Sequence, residues 1–148
     1  MTGWRLGYAL GSERLIELMS KVGTLVMCSP PAMIQQAGIA ALREGEPFIR
    51  ELREQYRRRR EIAVQALSRI PGLSLPLPQG AFYAFPQIDG LTDSIKFTLD
   101  LLRETHVGIG PGAAFGSYGE GYVRISFASS ESVLIPALQL FEDYMRRR

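Results

Sequence analysis

Tyr122-Val123-Arg124-Ile125-Ser126-Phe127-Ala128 alternates apolar and polar side chains without a break. Successive side chains of a strand point to opposite faces. Val123, Ile125 and Phe127 therefore share one face, and Tyr122, Arg124 and Ser126 share the other. The apolar face requires cover, and the segments on either side can supply it. Ser129 or Ser130 opens a helix with Leu134, Ala137, Leu138, Phe141 and Met145 on one stripe. Pro136 costs that helix one backbone hydrogen bond unless it starts late. With the apolar face packed on helices, Arg124 looks into a cleft or into solvent.

Upstream, residues 116–121 form a glycine-rich loop, 107–110 a short strand, and Pro111-Gly112 a turn out of it. Asp93 caps a helix carrying Ile95, Leu99 and Leu102 that ends near His106. The turn Pro78-Gln79-Gly80 precedes a strand over 81–85. A long helix starts at Pro47, carries Phe48, Leu52, Tyr56, Ala63, Leu67 and Ile70 as its stripe, and ends at Pro71-Gly72. Two shorter helices precede it, over 13–26 and from about Pro31 to Arg43, with Gly45 as the stop. Residues 4–10 read as a strand. Composition changes near residue 46, from small and apolar to rich in arginine and glutamate, which places a boundary there.

The 148 residues amount to one ordinary domain, and 46% apolar content with a net charge of +2 excludes disorder. No apolar run reaches the roughly 18 residues of a membrane span. No signal peptide is visible, so the expected compartment is the cytoplasm. A single cysteine, Cys28, excludes an internal disulfide, and a single histidine, His106, leaves no His/Cys cluster for zinc. Cys28 reads as a packed small residue, and His106 as the end of its helix. Only Lys21 and Lys96 are lysines; fifteen of the seventeen basic residues are arginine.

Arginine grips carboxylates and phosphates through a planar fork that stays charged. Arg124, mid-strand beside Tyr122 and Ser126, suits a carboxylate; its plain alternative is a solvated strand arginine. Arg5 follows Gly3, which lets a ligand approach the backbone, and suits a phosphate; its plain alternative is an edge-strand charge. The run Arg57 to Arg60 raises nucleic-acid binding, but four consecutive helical positions sweep about 300° and make no single face. Glu51, Glu54 and Glu61 lie at pairing distance, so the run reads as a solvated helix surface. Gly108-x-Gly110-x-Gly112 opens no helix and is broken by Pro111, so it reads as a turn and not as a dinucleotide fingerprint.

Several motifs in order carry a resemblance. Met1-Thr2-Gly3-Trp4-Arg5-Leu6-Gly7-Tyr8 resembles the segment that follows the catalytic lysine in class I/II aminotransferases of the aspartate aminotransferase superfamily (fold type I, dependent on pyridoxal phosphate). The family pattern there is Ser-Lys-x-x-x-Met-Thr-Gly-Trp-Arg-x-Gly-Tyr. Ser29-Pro30-Pro31 resembles its interface segment, and Tyr56-Arg57-Arg58-Arg59-Arg60 its arginine-rich linking helix. Gly80-Ala81-Phe82-Tyr83-Ala84-Phe85-Pro86 is similar to its Gly-x-Phe-Tyr-x-Phe strand. Gly110-Pro111-Gly112 through Phe115-Gly116 is similar to its Pro-Gly-x-x-Phe-Gly loop. Val123-Arg124-Ile125-Ser126 is similar to its Val-Arg-Ile-Ser strand.

The resemblance implies a fold and roles. The fold is α+β, a small antiparallel or mixed sheet with packed helices. Residues 47–148 would be the small C-terminal domain, and 1–46 a remnant of the large pyridoxal-phosphate-binding domain. Arg5 would hold the cofactor phosphate, Arg124 the substrate α-carboxylate, and Phe82 would line the substrate side. The Schiff-base lysine would stand four residues before Met1, so no catalytic residue is expected among these 148; neither Lys21 nor Lys96 sits in the motif. The implied reaction exchanges an amino group between an amino acid and a 2-oxo acid, with this chain inactive alone. A lyase or decarboxylase of the same fold, or a non-catalytic binding module, is the alternative. No nucleic acid and no membrane is expected as partner. A homodimer or other self-association is expected, driven by residues 1–46 left without their sheet.

Overall fold

The computed structural model describes residues 2–26 and 29–148, so the reading of Cys28 lies outside the described residues. The protein is α+β, with five α-helices and short antiparallel strands among those residues. It groups into two compact units, one ending at Glu51 and one of Leu52–Arg148.

The second unit holds a core built on the alternating strand. Helix α3 (Glu46–Leu67) runs into it and contributes Ala63 and Leu67, both fully buried. Strand β5 (Val123–Ser126) sits between β2 (Tyr83–Ala84) and β4 (Gly110–Pro111) in an antiparallel sheet. Val123, Ile125 and Phe127 are buried on one face, as their alternation dictates. Helix α4 (Ser94–Thr105) covers them with Phe97 and Leu101, and α5 (Glu131–Arg147) with Leu134, Leu138 and Phe141. Strands β1 (Leu73–Ser74) and β3 (Gln87–Ile88) make a second antiparallel pair. The Gln87–Tyr122 bridge and the Val123 N–H donated to the Pro86 carbonyl at 3.1 Å join β3 to the central strand.

Local signals account for the helix ends. The Asp93 carboxylate accepts the Lys96 N–H at 2.8 Å, and His106 closes α4 in the left-handed conformation. Helix α5 starts early enough for Pro136 to lie inside it, so the Ser132 carbonyl loses its proline-side donor. Two strand readings shift. Ala81 takes a left-handed φ of 57° and Phe82 follows in a bend, which shortens the strand expected over 81–85 to Tyr83–Ala84. The strand expected over 107–110 is Gly110–Pro111 instead. Pro111, read as a turn residue, stays in the ladder because β4 is an edge strand, where a missing N–H costs nothing.

The first unit contains α1 (Glu13–Val26) and α2 (Ala32–Glu44). Gly45 stops α2 but keeps helical dihedrals, so α3 begins at the next residue. The strand expected over 4–10 does not form. Thr2–Trp4 make one 3₁₀ turn, Arg5 follows with a left-handed φ of 52°, and residues 6–12 are irregular. An extended segment needs a neighbour for its backbone N–H and C=O groups. No strand pairs with this one among the described residues.

Candidate active-site arginine

Arg124 is the centre of the polar face of the sheet. The register sets Gly110 opposite it on β4, while Tyr83 lies opposite Ser126 on β2. The Arg124 guanidinium carbon lies 4.5 Å from the centre of the Tyr83 ring and 4.2 Å from that of Phe115. The positive charge faces two π-systems, each of which attracts a cation. Gly110 lies against both side chains: a Cβ there would stand in ordinary contact with the Phe115 ring at 3.4 Å and with the Arg124 Cβ at 3.5 Å. Behind them Phe85 stacks on Tyr122 at 5.3 Å and meets Phe115 edge-on at 5.9 Å. Arg124 is half-buried, yet among the described residues it has neither a hydrogen bond nor an ion pair. Its N–H donors remain free for a planar anion.

The loop carrying Phe115 is locked at its base. Gly112 and Gly119 approach so closely that a Cβ on either would collide with the other's backbone carbonyl. The Gly112 N–H donates to the Tyr122 carbonyl at 2.9 Å. Ser94, fully buried at the start of α4, donates its N–H to the Glu120 carboxylate at 2.7 Å and its hydroxyl to the other Glu120 oxygen at 3.3 Å. The same hydroxyl accepts the Ala113 N–H at 3.1 Å.

The other candidates stand elsewhere. Phe82 packs against the core and meets Tyr56 at 5.8 Å and Tyr83 at 4.5 Å. It borders the Arg124 surroundings through the Tyr83 ring. Arg5 is exposed and, among the described residues, unpartnered. Lys21 is tied to Glu17 at 2.8 Å. Lys96 is tied to Asp100 at 2.6 Å, and that hydrogen bond raises the ammonium pKa above its ordinary value. His106 ends α4 as expected.

The arginine run is only partly a solvated surface. Arg57 pairs with Glu54 and Glu61, which raises the guanidinium pKa and lowers that of Glu54. Arg59 and Arg60 turn inward instead. Arg59 donates to the Ala128 carbonyl at 2.8 Å, and Arg60 to the Pro78 carbonyl at 3.3 Å.

Tyr83 and Phe115 escaped the reading of single segments. Both belong to quoted motifs, but only strand register and the fold of the loop bring them to Arg124. The usable signal was a glycine at 110 opposite an arginine at 124, with an aromatic five residues after that glycine.

The chain belongs to the family of class I and II aminotransferases, whose model matches residues 1–139. It is 43% identical to an aspartate aminotransferase of Pyrococcus horikoshii over 96% of its own length and 37% of that protein's. It is 42% identical to an LL-diaminopimelate aminotransferase of Nitratidesulfovibrio vulgaris, over 85% of this chain and 32% of that one. An aromatic aminotransferase structure from Pyrococcus horikoshii superposes with a TM-score of 0.88 at 38% identity, covering 100% of this chain and 40% of that one. The chain thus spans about two fifths of the length of these relatives.

Proposed function

We propose that this chain is the substrate-anchoring part of a pyridoxal-phosphate-dependent aminotransferase. Within it, Arg124 grips the α-carboxylate of an amino acid or a 2-oxo acid. One observation carries the reading: a half-buried guanidinium within 4.5 Å of two ring centres that has no hydrogen bond or ion pair among the described residues. The rings fix the plane of the fork, so less freedom is lost when a carboxylate docks bidentately. Half-burial beside the rings lowers the local dielectric, which strengthens the charge toward an anion.

The residues present suit one end of the cofactor. Arg5, exposed and unpartnered among the described residues, has the chemistry to hold a phosphate. Neither Lys21 nor Lys96 suits the aldehyde end, since each is engaged by a carboxylate and the Lys96 pKa is raised, the wrong direction for a nucleophile. When bound, pyridoxal phosphate supplies an electrophilic aldehyde and an electron-withdrawing ring. The roles assigned to this chain are anchoring and orientation: Arg5 at the phosphate, Arg124 at the carboxylate.

The names of the relatives differ in substrate, from aspartate to diaminopimelate to aromatic amino acids. A shared α-carboxylate is the part that Arg124 would read in each.

The test is a titration of the chain with pyruvate, followed at the Arg124 Nε–H resonance. A saturable shift, abolished in Arg124→Gln with the circular dichroism unchanged, is the expected result. A flat titration, or one equal in Arg124→Gln, removes Arg124 from this role. With pyridoxal phosphate, an amino acid and a 2-oxo acid added, the chain alone should form no transfer product; product formation would overturn the lysine assignment.

A further inference from the structure

We infer that Glu120 and Ser94 are positioning residues for Arg124, acting through the loop that carries Phe115. The inference rests on the reading of Arg124 as carboxylate anchor, but its geometry is testable without a ligand. The Glu120 carboxylate is bonded to the first residue of α4 through both oxygens, at 2.7 Å to the Ser94 N–H and 3.3 Å to its hydroxyl. Glu120 also accepts the Gly121 N–H at 3.1 Å, which orients it from its own loop. Because an ionised carboxylate only accepts, the Ser94 hydroxyl must point its hydrogen at Glu120. Its lone pairs then face Ala113, whose N–H it accepts at 3.1 Å. The chain of bonds therefore has one direction, from the acceptor Glu120 through Ser94 to the turn Gly112–Phe115.

Cap formation alone does not require this arrangement. Asp93 already supplies the side-chain cap of α4 by accepting the Lys96 N–H. What the second carboxylate adds is a tie between α4 and both ends of the 112–121 loop. That tie fixes Phe115, whose ring stands 4.2 Å from the Arg124 guanidinium carbon and covers one face of it. Released, the ring would swing away, and the fork would gain freedom and water. Glu120 itself touches neither substrate nor Arg124 in this scheme.

With the Arg124 guanidinium carbon 4.2 Å from the Phe115 ring centre and 4.5 Å from that of Tyr83, both rings should shift the Arg124 side-chain protons upfield, and Phe115→Leu measures the Phe115 share. In Ser94→Ala the hydroxyl bridge is removed, while the Glu120 bond to the backbone N–H can persist. In Glu120→Gln the amide nitrogen replaces an acceptor by a donor, so the hydroxyl loses its direction. Each variant should lose more than half of the Phe115 share at the Arg124 δ and ε protons. The core methyl signals of Leu67, Leu101 and Val123 should stay in place. Pyruvate affinity should fall on the order of tenfold in both, as a misplaced binding group implies. Glu120 is exposed, so Glu120→Gln decides the matter if the buried Ser94→Ala fails to fold. Retention of the full Phe115 share in the folded variants overturns the inference. Absence of pyruvate binding in the unmodified chain overturns the anchor reading instead, and the ring-current result still decides whether the clamp positions Phe115.

Discussion

Two half-buried arginines in the second unit illustrate opposite uses of one side chain. Arg59 is engaged from within: it donates to the Ala128 carbonyl at 2.8 Å and lies 5.6 Å from the Tyr56 ring centre. It ties α3 to the second residue after β5 and keeps its Nε buried without a hydrogen-bond partner among the described residues. Arg124 meets two rings and, among the described residues, has no hydrogen bond or ion pair. The first arrangement serves stability, and the second leaves a charge ready for a ligand. Arg59→Ala should therefore lower unfolding stability by about 1–2 kcal/mol, the cost of a lost charge-assisted bond and a ring contact, partly offset by relief of the buried Nε. Urea unfolding followed by circular dichroism measures it, and an unchanged midpoint would reduce Arg59 to surface charge. In the sequence the two arginines looked different for another reason. Arg124 stood alone in an alternating strand, and its exposure on the polar face followed from period two. Arg59 stood in a run of four, where helical geometry gives directions but not the loop that waits at each one. Residue 128 lies 69 positions further on, a contact that no local pattern encodes.

At the scale of elements, α4 and α5 respond to different perturbations. In α4, Asp100 receives Lys96 at 2.6 Å and Arg103 at 3.3 Å. The hydrogen bond from Lys96 leads the causes that hold the Asp100 carboxyl below its ordinary 3.8. A carboxylate with a lowered folded pKa adds stability above the ordinary value. That contribution fades as pH falls through the lowered one. The chain should thus lose this contribution below about pH 4, and Asp100→Asn should flatten that part of the stability profile. The effect is small, because the partners are exposed and solvent screens them. In α5, Pro136 removes the donor to Ser132 and crowds its carbonyl. Pro136 is exposed, so Pro136→Ala leaves no cavity. It should stabilise the chain by about 1–2 kcal/mol, less the unfolded-state entropy that proline restricts. A lower melting temperature in that variant would show that the proline shapes α5 to fit the sheet. The helices were legible because their determinants are local: the Asp93 cap, the 3.6-residue stripes, and glycine or proline at the ends. The short strands were less so. Tyr83–Ala84 and Gly110–Pro111 exist because β5 lies between them, and a two-residue strand has no period to read.

At the scale of the molecule, apolar surface divides unequally between the two units. The second unit has a continuous core, whereas among the described residues α1 buries none and α2 buries only Gly38. Leu10, Leu25 and Met33 are 87%, 88% and 76% exposed, and Leu18, Met19, Val22 and Val26 form one exposed apolar stripe along α1. A stable monomer seldom leaves so much apolar side chain in water, since contiguous patches of this kind mark interaction surfaces. The segment 4–10 is likewise apolar and pairs with no strand among the described residues. The relatives are about two and a half times as long as this chain. Burial of such side chains contributes about 1.5–3 kcal/mol each, so even partial cover by a second copy outweighs the entropy of weak association. Sedimentation velocity of the 148-residue chain should therefore show mass rising with concentration. Leu18→Gln combined with Val22→Gln, one turn apart on α1, should shift the distribution toward monomer with helix content unchanged. Two polar amides at those positions keep helix propensity while removing the apolar contact. A wild-type chain that stays monomeric at every concentration would mean that its apolar helix faces find cover within the molecule.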